Sequence, residues 1–537
     1  MTPEQYEEKY PARPLPEGAR VTRFAPSPTG FLHIGNLFTA YVNKLTAENT
    51  NGVFFLRIED TDKKREVEDG VSGILAGLRA FDVEPDEGVL GFEFEQGEYG
   101  PYQQSNRCDI YQSFAKELVQ KGLAYPCFCS EGALNDIRAE QELQAVNKGY
   151  YGDWAVCRKL TAEELLEAVE TGKPYVLRLR STGDENRRII FEDMIKGKIE
   201  MPQDIMDVVL LKTDGIPPYH FAHAVDDHLM RTTHIIRSDE WIASVPLHIA
   251  LFKACGFKVP KYAHVSPLMK EDVGGKRKLS KRKDPEAAVS FFVEQGFPKT
   301  SMLEYLLTLI NSNFEDWRKG SPTAPQSAFP FNLKKMSASG ALFDMVKLND
   351  VSKNVISVMT AAEVYEQMVA WAKDYDAQLY TLFSGNPDYA TAIMDIDRDN
   401  KNPRKDIAKW SEIREYVAYL YDELYTPCFD LPENILPGDA ADILKTYKDV
   451  LNVEDDKDTW FGKIKDMCAG LGYTPNVKEF KQTPEKFKGH VGDISAVIRI
   501  ALTSRRNTPD LHSIIRLLGV KKVHQRMEDA IQYYEAQ

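Results

Sequence analysis

A short strand running directly into a turn crowded with proline and glycine sets the strongest limit on this chain. VTRFA (21–25) leads into PSPTGFLHIGN (26–36) and then LFTAYVNKLTAEN (37–49), where Leu37, Ala40, Tyr41 and Leu45 recur at helical spacing. Strand, Gly-rich turn and helix start is the geometry that aims backbone N–H groups and the positive end of a helix dipole at an anion. Gly30 and Gly35 carry no Cβ to hold a ligand off, and His33 adds a hydrogen-bond donor. The spacing is neither GxGxxG nor GxxxxGK, so a dinucleotide fold and a P-loop are both disfavoured. An isolated HxG would more often be a plain βα loop with an ordinary histidine.

The alternation continues through GVFFLRIED (52–60) and helical SGILAGLRAF (72–81), the start of a parallel sheet covered by helices. Residues 103–206 differ. They hold two helical stretches, a Cys-rich turn PCFCS (126–130) and the strands PYVLRLR (174–180) and RRIIFED (187–193), and they read as an inserted domain. Strand character at DVVLLK (207–212) and THIIRS (233–238) reads as the second half of the sheet. Helix dominates from about 270, and no strand is expected after about 360. The first 19 residues read as a short Pro-rich tail without the basic start and apolar run of a secretory signal.

Composition narrows the class. A chain of 537 residues that is 43% hydrophobic and 28% charged has material for several cores. No run approaches the ~18 apolar residues of a membrane span. Seven cysteines over this length do not make a disulfide framework, so a reducing, cytoplasmic setting is expected. The net charge of −14 argues mildly against nucleic acid, yet an acidic protein with one basic face still binds phosphate.

Far along the chain, GGKRKLSKRKD (274–284) is a Gly-led loop with six cations, Lys276, Arg277, Lys278, Lys281, Arg282 and Lys283. Alone it is a solvated basic loop. Paired with PSPTGFLHIGN it resembles the HIGH and KMSKS signatures of class I aminoacyl-tRNA synthetases, here HIGN (33–36) and KLSKR (278–282). RFAPSPTG, FLRIEDTD (55–62), GPYQQS (100–105), YHFAHAVDDHLM (219–230), IIRSDEW (235–241) and MSASGALFDMVKL (336–348) narrow the resemblance to bacterial-type glutamyl-tRNA synthetases. It runs from Arg20 to the C-terminus and weakens over the last third.

The resemblance implies an α/β fold in several domains. After the tail (1–19), a class I Rossmann-like catalytic domain is expected at 20–102 and 207–269, interrupted by an α/β acceptor-stem-binding domain at 103–206. A stem-contact domain with the KLSKR loop would follow at 270–360, then an all-α anticodon-binding region at 361–537, split near 455. The implied activity is ATP-dependent attachment of L-glutamate to tRNA-Glu through glutamyl-adenylate, by a cytoplasmic monomer using Mg2+ with ATP.

By the same resemblance, His33, Lys278 and Lys281 are the expected catalytic groups. ATP would meet Ser27, Gly30, His33, Gly35 and Asn36 on one side and Lys278, Leu279, Ser280, Lys281 and Arg282 on the other. Arg23, Ala25, Ser27, Glu59, Tyr219, His223, Arg237 and Trp241 would form the glutamate pocket. In it Arg23 forks onto the γ-carboxylate and Glu59 takes the ammonium. Arg404, Arg499 and Arg505 would face tRNA, with solvated helix charge as the alternative for the last two. Ser504 stands where the family has glycine. Cys127, Cys129 and Cys157 offer three thiolates for a structural zinc, with Tyr151 as a fourth candidate; the alternative is two thiols in a turn and an unrelated third. Rival readings are a form that also charges tRNA-Gln, a glutaminyl enzyme, an inactive tRNA-binding relative, a short paralogue that glutamylates a modified tRNA base, and a small nucleotidyltransferase. APSPTG in place of a PPEPNG-type turn and the helical tail oppose the second. Intact His33, Lys281, Arg23 and Glu59 oppose the third.

Overall fold

The computed structural model describes residues 1–537 other than 63–66, 68, 92, 281 and 402. The chain forms two compact units, Met1–Val293 with Met302–Met345, and Glu294–Ser301 with Val346–Gln537.

In the first unit, strand Val21–Phe24 lies parallel to Val53–Leu56, and the latter parallel to Glu87–Gly91. On the other side, His234–Ser238 lies parallel to Lys261–Val265. The halves meet where the Thr233 N–H donates to the Val21 carbonyl at 3.0 Å. All four residues of Val21–Phe24 are buried, as befits a parallel strand covered on both faces. Helix Ile34–Glu48 turns Leu37, Phe38, Tyr41 and Leu45 inward, the stripe that its spacing predicts.

Two strands join sheets other than those expected. Arg188–Asp193 forms a hairpin with Gly197–Pro202 and pairs Asp193 with Tyr262, at the edge of the Lys261–Val265 strand. Val209–Leu211, read as the return to the parallel sheet, instead pairs with Val176–Leu179, which pairs with Ala124–Cys127. Both segments have strand-forming residues, but the choice of sheet rests on distant partners that local composition does not encode.

The N-terminus also departs from expectation. Pro3–Lys9 is a helix, opened by a capping box between Thr2 and Gln5 with proline at its first position. Tyr6 and Tyr10, one turn apart, are buried. Glu7 pairs with Arg231 at 2.7 Å, and the Arg13 guanidinium sits 3.9 Å over the Tyr99 ring. Reading the prolines as a loose tail passes over this cap and aromatic pair.

Among the described residues of the second unit, the regular elements are helices apart from a two-residue ladder of Tyr473–Thr474 with Gly489–His490. Its core includes Met368, Phe383, Trp410, Leu444, Trp460, Ile498 and Ile515. Ser504 ends helix Val491–Thr503 in the left-handed region, φ 58°. Glycine adopts that conformation without cost; here the serine hydroxyl anchors the turn, accepting the Cys428 N–H at 2.9 Å and donating to Tyr425 Oη at 3.0 Å. Among the described residues, no helix is long and apolar enough to cross a membrane.

Candidate active site

The HIGN turn is built around its histidine. His33 is the N-cap of helix Ile34–Glu48, and its Nδ1 accepts the Gly35 N–H at 2.9 Å. The accepting nitrogen bears a lone pair, so the neutral ring carries its proton on Nε2. One expectation changes: the Gly35 N–H belongs to His33 rather than to a phosphate. Glycine is needed for another reason, since a Cβ at position 35 would come within 3.1 Å of His33 Nδ1. Gly30 sits at φ +119°, where side chains are strained. Ser27 and Asn36 are exposed, and Ala25 is half-buried.

The HIGN turn meets the segment that follows the basic loop. His33 and Ala288 form an antiparallel β-bridge, and the Val289 N–H donates to the Leu32 carbonyl at 3.0 Å. The basic loop itself is braced. Gly275–Lys278 pairs with Leu268–Asp272, Leu279 is buried, and Ser280 N–H donates to Asp284 at 2.9 Å. Arg277 forks onto the same carboxylate at 2.6 and 2.7 Å, holding Asp284 well below the usual carboxylate range. Lys278 lies 3.5 Å from Glu240, both side chains exposed, and Arg282 is exposed. Lys281 lies outside the described residues.

Beneath the turn is a buried charge cluster. Helix Tyr219–Leu229 supplies Asp226 and Asp227, both buried. Asp227 Oδ1 lies 3.2 Å from Arg23 Nε and 2.8 Å from Arg57 Nη1. Glu59 lies 2.9 Å from Arg57 Nη2, and Asp226 lies 2.6 Å from Arg107 Nε. Three guanidiniums thus face three carboxylates. Burial works to raise the Asp227 carboxyl, but Arg23 and Arg57 prevail and hold it well below its ordinary value. Burial prevails at Glu59 and pushes it up against the pull of Arg57. The expected free fork of Arg23 is therefore partly committed, with Nε on Asp227 and Nη1 3.4 Å from the Ile236 carbonyl. Glu59 likewise already has a cation.

An aromatic pocket adjoins this cluster. Tyr219 packs on Trp241 with ring centroids 4.4 Å apart and stacks on His223 at 5.5 Å. His223 Nδ1 is 2.7 Å from Asp227 Oδ2, yet burial drives the ring's pKa down to about 3, so it is neutral near pH 7. Arg237 donates to Tyr219 Oη at 3.1 Å, His264 Nε2 at 3.2 Å and the Trp241 carbonyl at 3.5 Å, and its Nη2 lies 3.0 Å from His248 Nδ1. Among the described residues no carboxylate forms an ion pair with it. His248 and His264 carried no motif, and only their proximity to Arg237 in the fold marks them.

The three cysteines converge as their spacing allowed. Their sulfurs lie within 4.8 Å of one another, and none is in a disulfide. Cys129 Sγ lies 3.6 Å from Cys157 Sγ and 3.3 Å from Tyr150 Oη. Four ligands about 2.3 Å from a tetrahedral zinc would have sulfurs about 3.8 Å apart, so the donor set fits that ion. The tyrosine beside the sulfurs is Tyr150, not Tyr151. Tyr151 is extended (φ −160°, ψ 162°), which sends neighbouring side chains to opposite faces, and its Oη donates to the Asn147 carbonyl at 2.7 Å. The Cys157 thiol and Tyr150 hydroxyl together favour Cys127 as the thiolate and hold its pKa below the ordinary thiol range.

In the second unit, Arg404 and Arg499 line one cavity of about 420 Å³ with Lys457, Trp460 and Phe461. Arg404 forks onto Asp406 at 2.6 and 3.0 Å, and Arg499 donates to Thr508 at 3.1 Å. Arg505 is not among the cavity's lining residues; it donates to the Glu415 carbonyl and lies over Tyr419.

Known proteins match both ends of this arrangement. Residues 20–350 fit the family described as tRNA synthetases class I (E and Q), catalytic domain, and residues 476–531 fit an anticodon binding domain. The chain is 47% identical over 532 residues to a glutamate–tRNA ligase of Clostridium beijerinckii, covering 98% of this chain and 96% of that protein. A glutamate–tRNA ligase of Acetivibrio thermocellus is also 47% identical, over 97% of this chain and 95% of the relative. A crystal structure of a glutamate–tRNA synthetase from Elizabethkingia anophelis superposes with TM-score 0.73 at 25% identity, over 96% of this chain and all of that one. With a matched catalytic domain, a matched anticodon domain and near-complete coverage by such relatives, the chain belongs to the glutamate–tRNA ligases, a family of class I aminoacyl-tRNA synthetases.

Proposed function

We propose that this chain joins L-glutamate to tRNA-Glu at the expense of ATP. The glutamate α-carboxylate attacks the α-phosphorus, and the bond to pyrophosphate breaks. The terminal 2′-hydroxyl of the tRNA then attacks the acyl carbon of the adenylate, and AMP leaves. Substrates supply both nucleophiles, so the protein's work is positioning and charge stabilisation. The observation that carries this reading is the bridge between His33 and Ala288, which brings the HIGN turn beside the chain that leaves KLSKR.

In this reading the start of helix Ile34–Glu48 and the His33 Nε2–H meet the triphosphate, and Lys281 meets the departing pyrophosphate. Gly30 lets the turn approach; Ser27, Asn36, Ser280 and Arg282 line the ATP path. Mg2+ arrives on ATP, held largely by phosphate and water. Arg23 and Arg237 receive glutamate's carboxylates, Glu59 its ammonium, and Tyr219 and Trp241 its carbon chain. A structural zinc on Cys127, Cys129, Cys157 and Tyr150 would tie the start of the insert together without entering the reaction. Arg404 and Arg499 face the anticodon. The domain order given above is retained as part of the proposal, with the Arg188–Pro202 hairpin on the sheet of Lys261–Val265 and Val209–Leu211 on that of the insert, as are a cytoplasmic setting and a monomeric state.

The test is charging of purified tRNA-Glu and tRNA-Gln with labelled glutamate, wild type beside Arg404→Gln. Glutamate on tRNA-Glu, with the preference between the two tRNAs altered in the variant, supports the reading. No charging of either tRNA by the wild type refutes it, and an unchanged preference refutes the role of Arg404.

A further inference from the structure

Behind the proposed pocket lies a buried pair that no sequence motif contains. Asp193 is 1% exposed. Its carboxylate accepts the backbone N–H groups of Ile195 at 3.0 Å, Lys196 at 2.9 Å and His264 at 3.1 Å, and lies 2.6 Å from His264 Nδ1. A carboxylate surrounded by donors stays ionised and accepts only. His264 Nδ1 therefore holds the proton, and the lone pair of Nε2 faces Arg237 Nε at 3.2 Å. The ring is fully buried and stacked on Tyr262, with an interplanar angle of 6°.

A second imidazole repeats this logic at Nη2 of the guanidinium. His248 Nδ1 faces Arg237 Nη2 at 3.0 Å, while its Nε2 lies 2.9 Å from His220 Nδ1. Two neutral imidazoles of fixed tautomer thus hold the guanidinium, one at Nε and one at Nη2. A guanidinium held by carboxylates, as Arg57 is, has its charge matched already; one held by lone pairs keeps that charge for an incoming anion.

We infer that Asp193 and His264 are positioning residues for glutamate: Asp193 fixes the His264 tautomer, and His264 holds Arg237 oriented, without a carboxylate of its own, to receive a carboxylate of the substrate. The inference rests on Arg237 belonging to the glutamate pocket proposed above. Asp193 reaches it from the 188–202 hairpin, which the local sequence assigned elsewhere.

Two measurements test it on the full chain. In ¹⁵N-histidine-labelled protein, with His264→Gln assigning the resonances, His264 should show a protonated Nδ1 and a lone-pair Nε2. The reverse tautomer in the wild type overturns the inference whatever the substrate is. In steady-state charging, Asp193→Asn lets the amide donate to Nδ1 and turns Nε2–H against the Arg237 N–H. The KM for glutamate should rise about 10- to 100-fold, the span of one buried hydrogen bond to a charged group, while the KM for ATP changes less than about twofold. His264→Gln, whose amide oxygen still accepts from Arg237, should retain more glutamate affinity than His264→Leu. An unchanged KM for glutamate, or equal rises for glutamate and ATP, overturns the inference. The expected tautomer in a wild type that charges no glutamate would support the positioning and refute the pocket's assignment instead.

Discussion

Replacing Asp227 with asparagine keeps the shape of the side chain and removes its charge. Asp227 is 1% exposed, lies 3.2 Å from Arg23 and 2.8 Å from Arg57, and accepts the Thr232 hydroxyl at 3.1 Å. In the variant, Asp226 and Glu59 alone would face Arg23, Arg57 and Arg107, out of reach of bulk water. Breaking a buried pair costs about 3–5 kcal/mol, and because the amide oxygen still accepts one donor we expect the lower end, about 3 kcal/mol. At about 1.4 kcal/mol per factor of ten, that is somewhat over 100-fold in the folding equilibrium. Guanidinium unfolding followed by tryptophan fluorescence would read it as an earlier transition. The pH dependence gives a second check. The carboxyl's pKa is depressed in the folded chain, so its contribution is complete above the unfolded value near 3.9 and is lost as pH falls through the lower, folded one. The gap between wild type and variant should therefore hold from about pH 8 to about pH 5 and close only below about pH 4. A loss under about 0.5 kcal/mol, or a gap that changes above about pH 5, refutes the charge-matching account.

Other outcomes follow from the same geometry. Tyr150→Phe should lower the zinc retained after dialysis against a weak chelator and Tyr151→Phe should not, read by mass spectrometry of the metal; equal retention in both removes Tyr150 as a ligand. Gly35→Ala places a Cβ 3.1 Å from His33 Nδ1 and should disturb the cap, costing about 1 kcal/mol and raising the KM for ATP about fivefold in pyrophosphate exchange. Burial, with Arg20 and Lys261 adding to it, pushes His234 down to about 4 from 6.5. The unfolded chain then gains a proton first on acidification, so stability is full above about pH 6.5 and falls by about 3 kcal/mol towards pH 4, at 1.36 kcal/mol per pH unit. His234→Gln should flatten that slope in urea titrations at several pH values.

Part of the candidate site was legible because its residues sit in short, continuous segments. PSPTGFLHIGN announces strand, turn and helix in one stretch, and the structure places His33 at that helix start. The helical stripe of 37–49 needs no distant information. What the sequence hid depends on partners far along the chain. RRIIFED and DVVLLK look alike as strands, and only pairing to Tyr262 or to Val176–Leu179 separates them. Tyr150 and Tyr151 are chemically identical, and one backbone extension decides which reaches the sulfurs. Arg23 reads as a free cation until Asp227, some 200 residues later, is seen beside it. His264 and His248 look like ordinary core histidines until both are found with lone pairs towards one guanidinium.

The central claim is that a guanidinium pocket beside an ATP turn selects an acid side chain. It is tested most directly by the ratio of kcat/KM for glutamate to that for glutamine on the same tRNA-Glu. Glutamine puts an amide where the pocket presents buried positive charge, so the account predicts a preference for glutamate of about 1000-fold or more. A ratio near one, or a preference for glutamine, contradicts it.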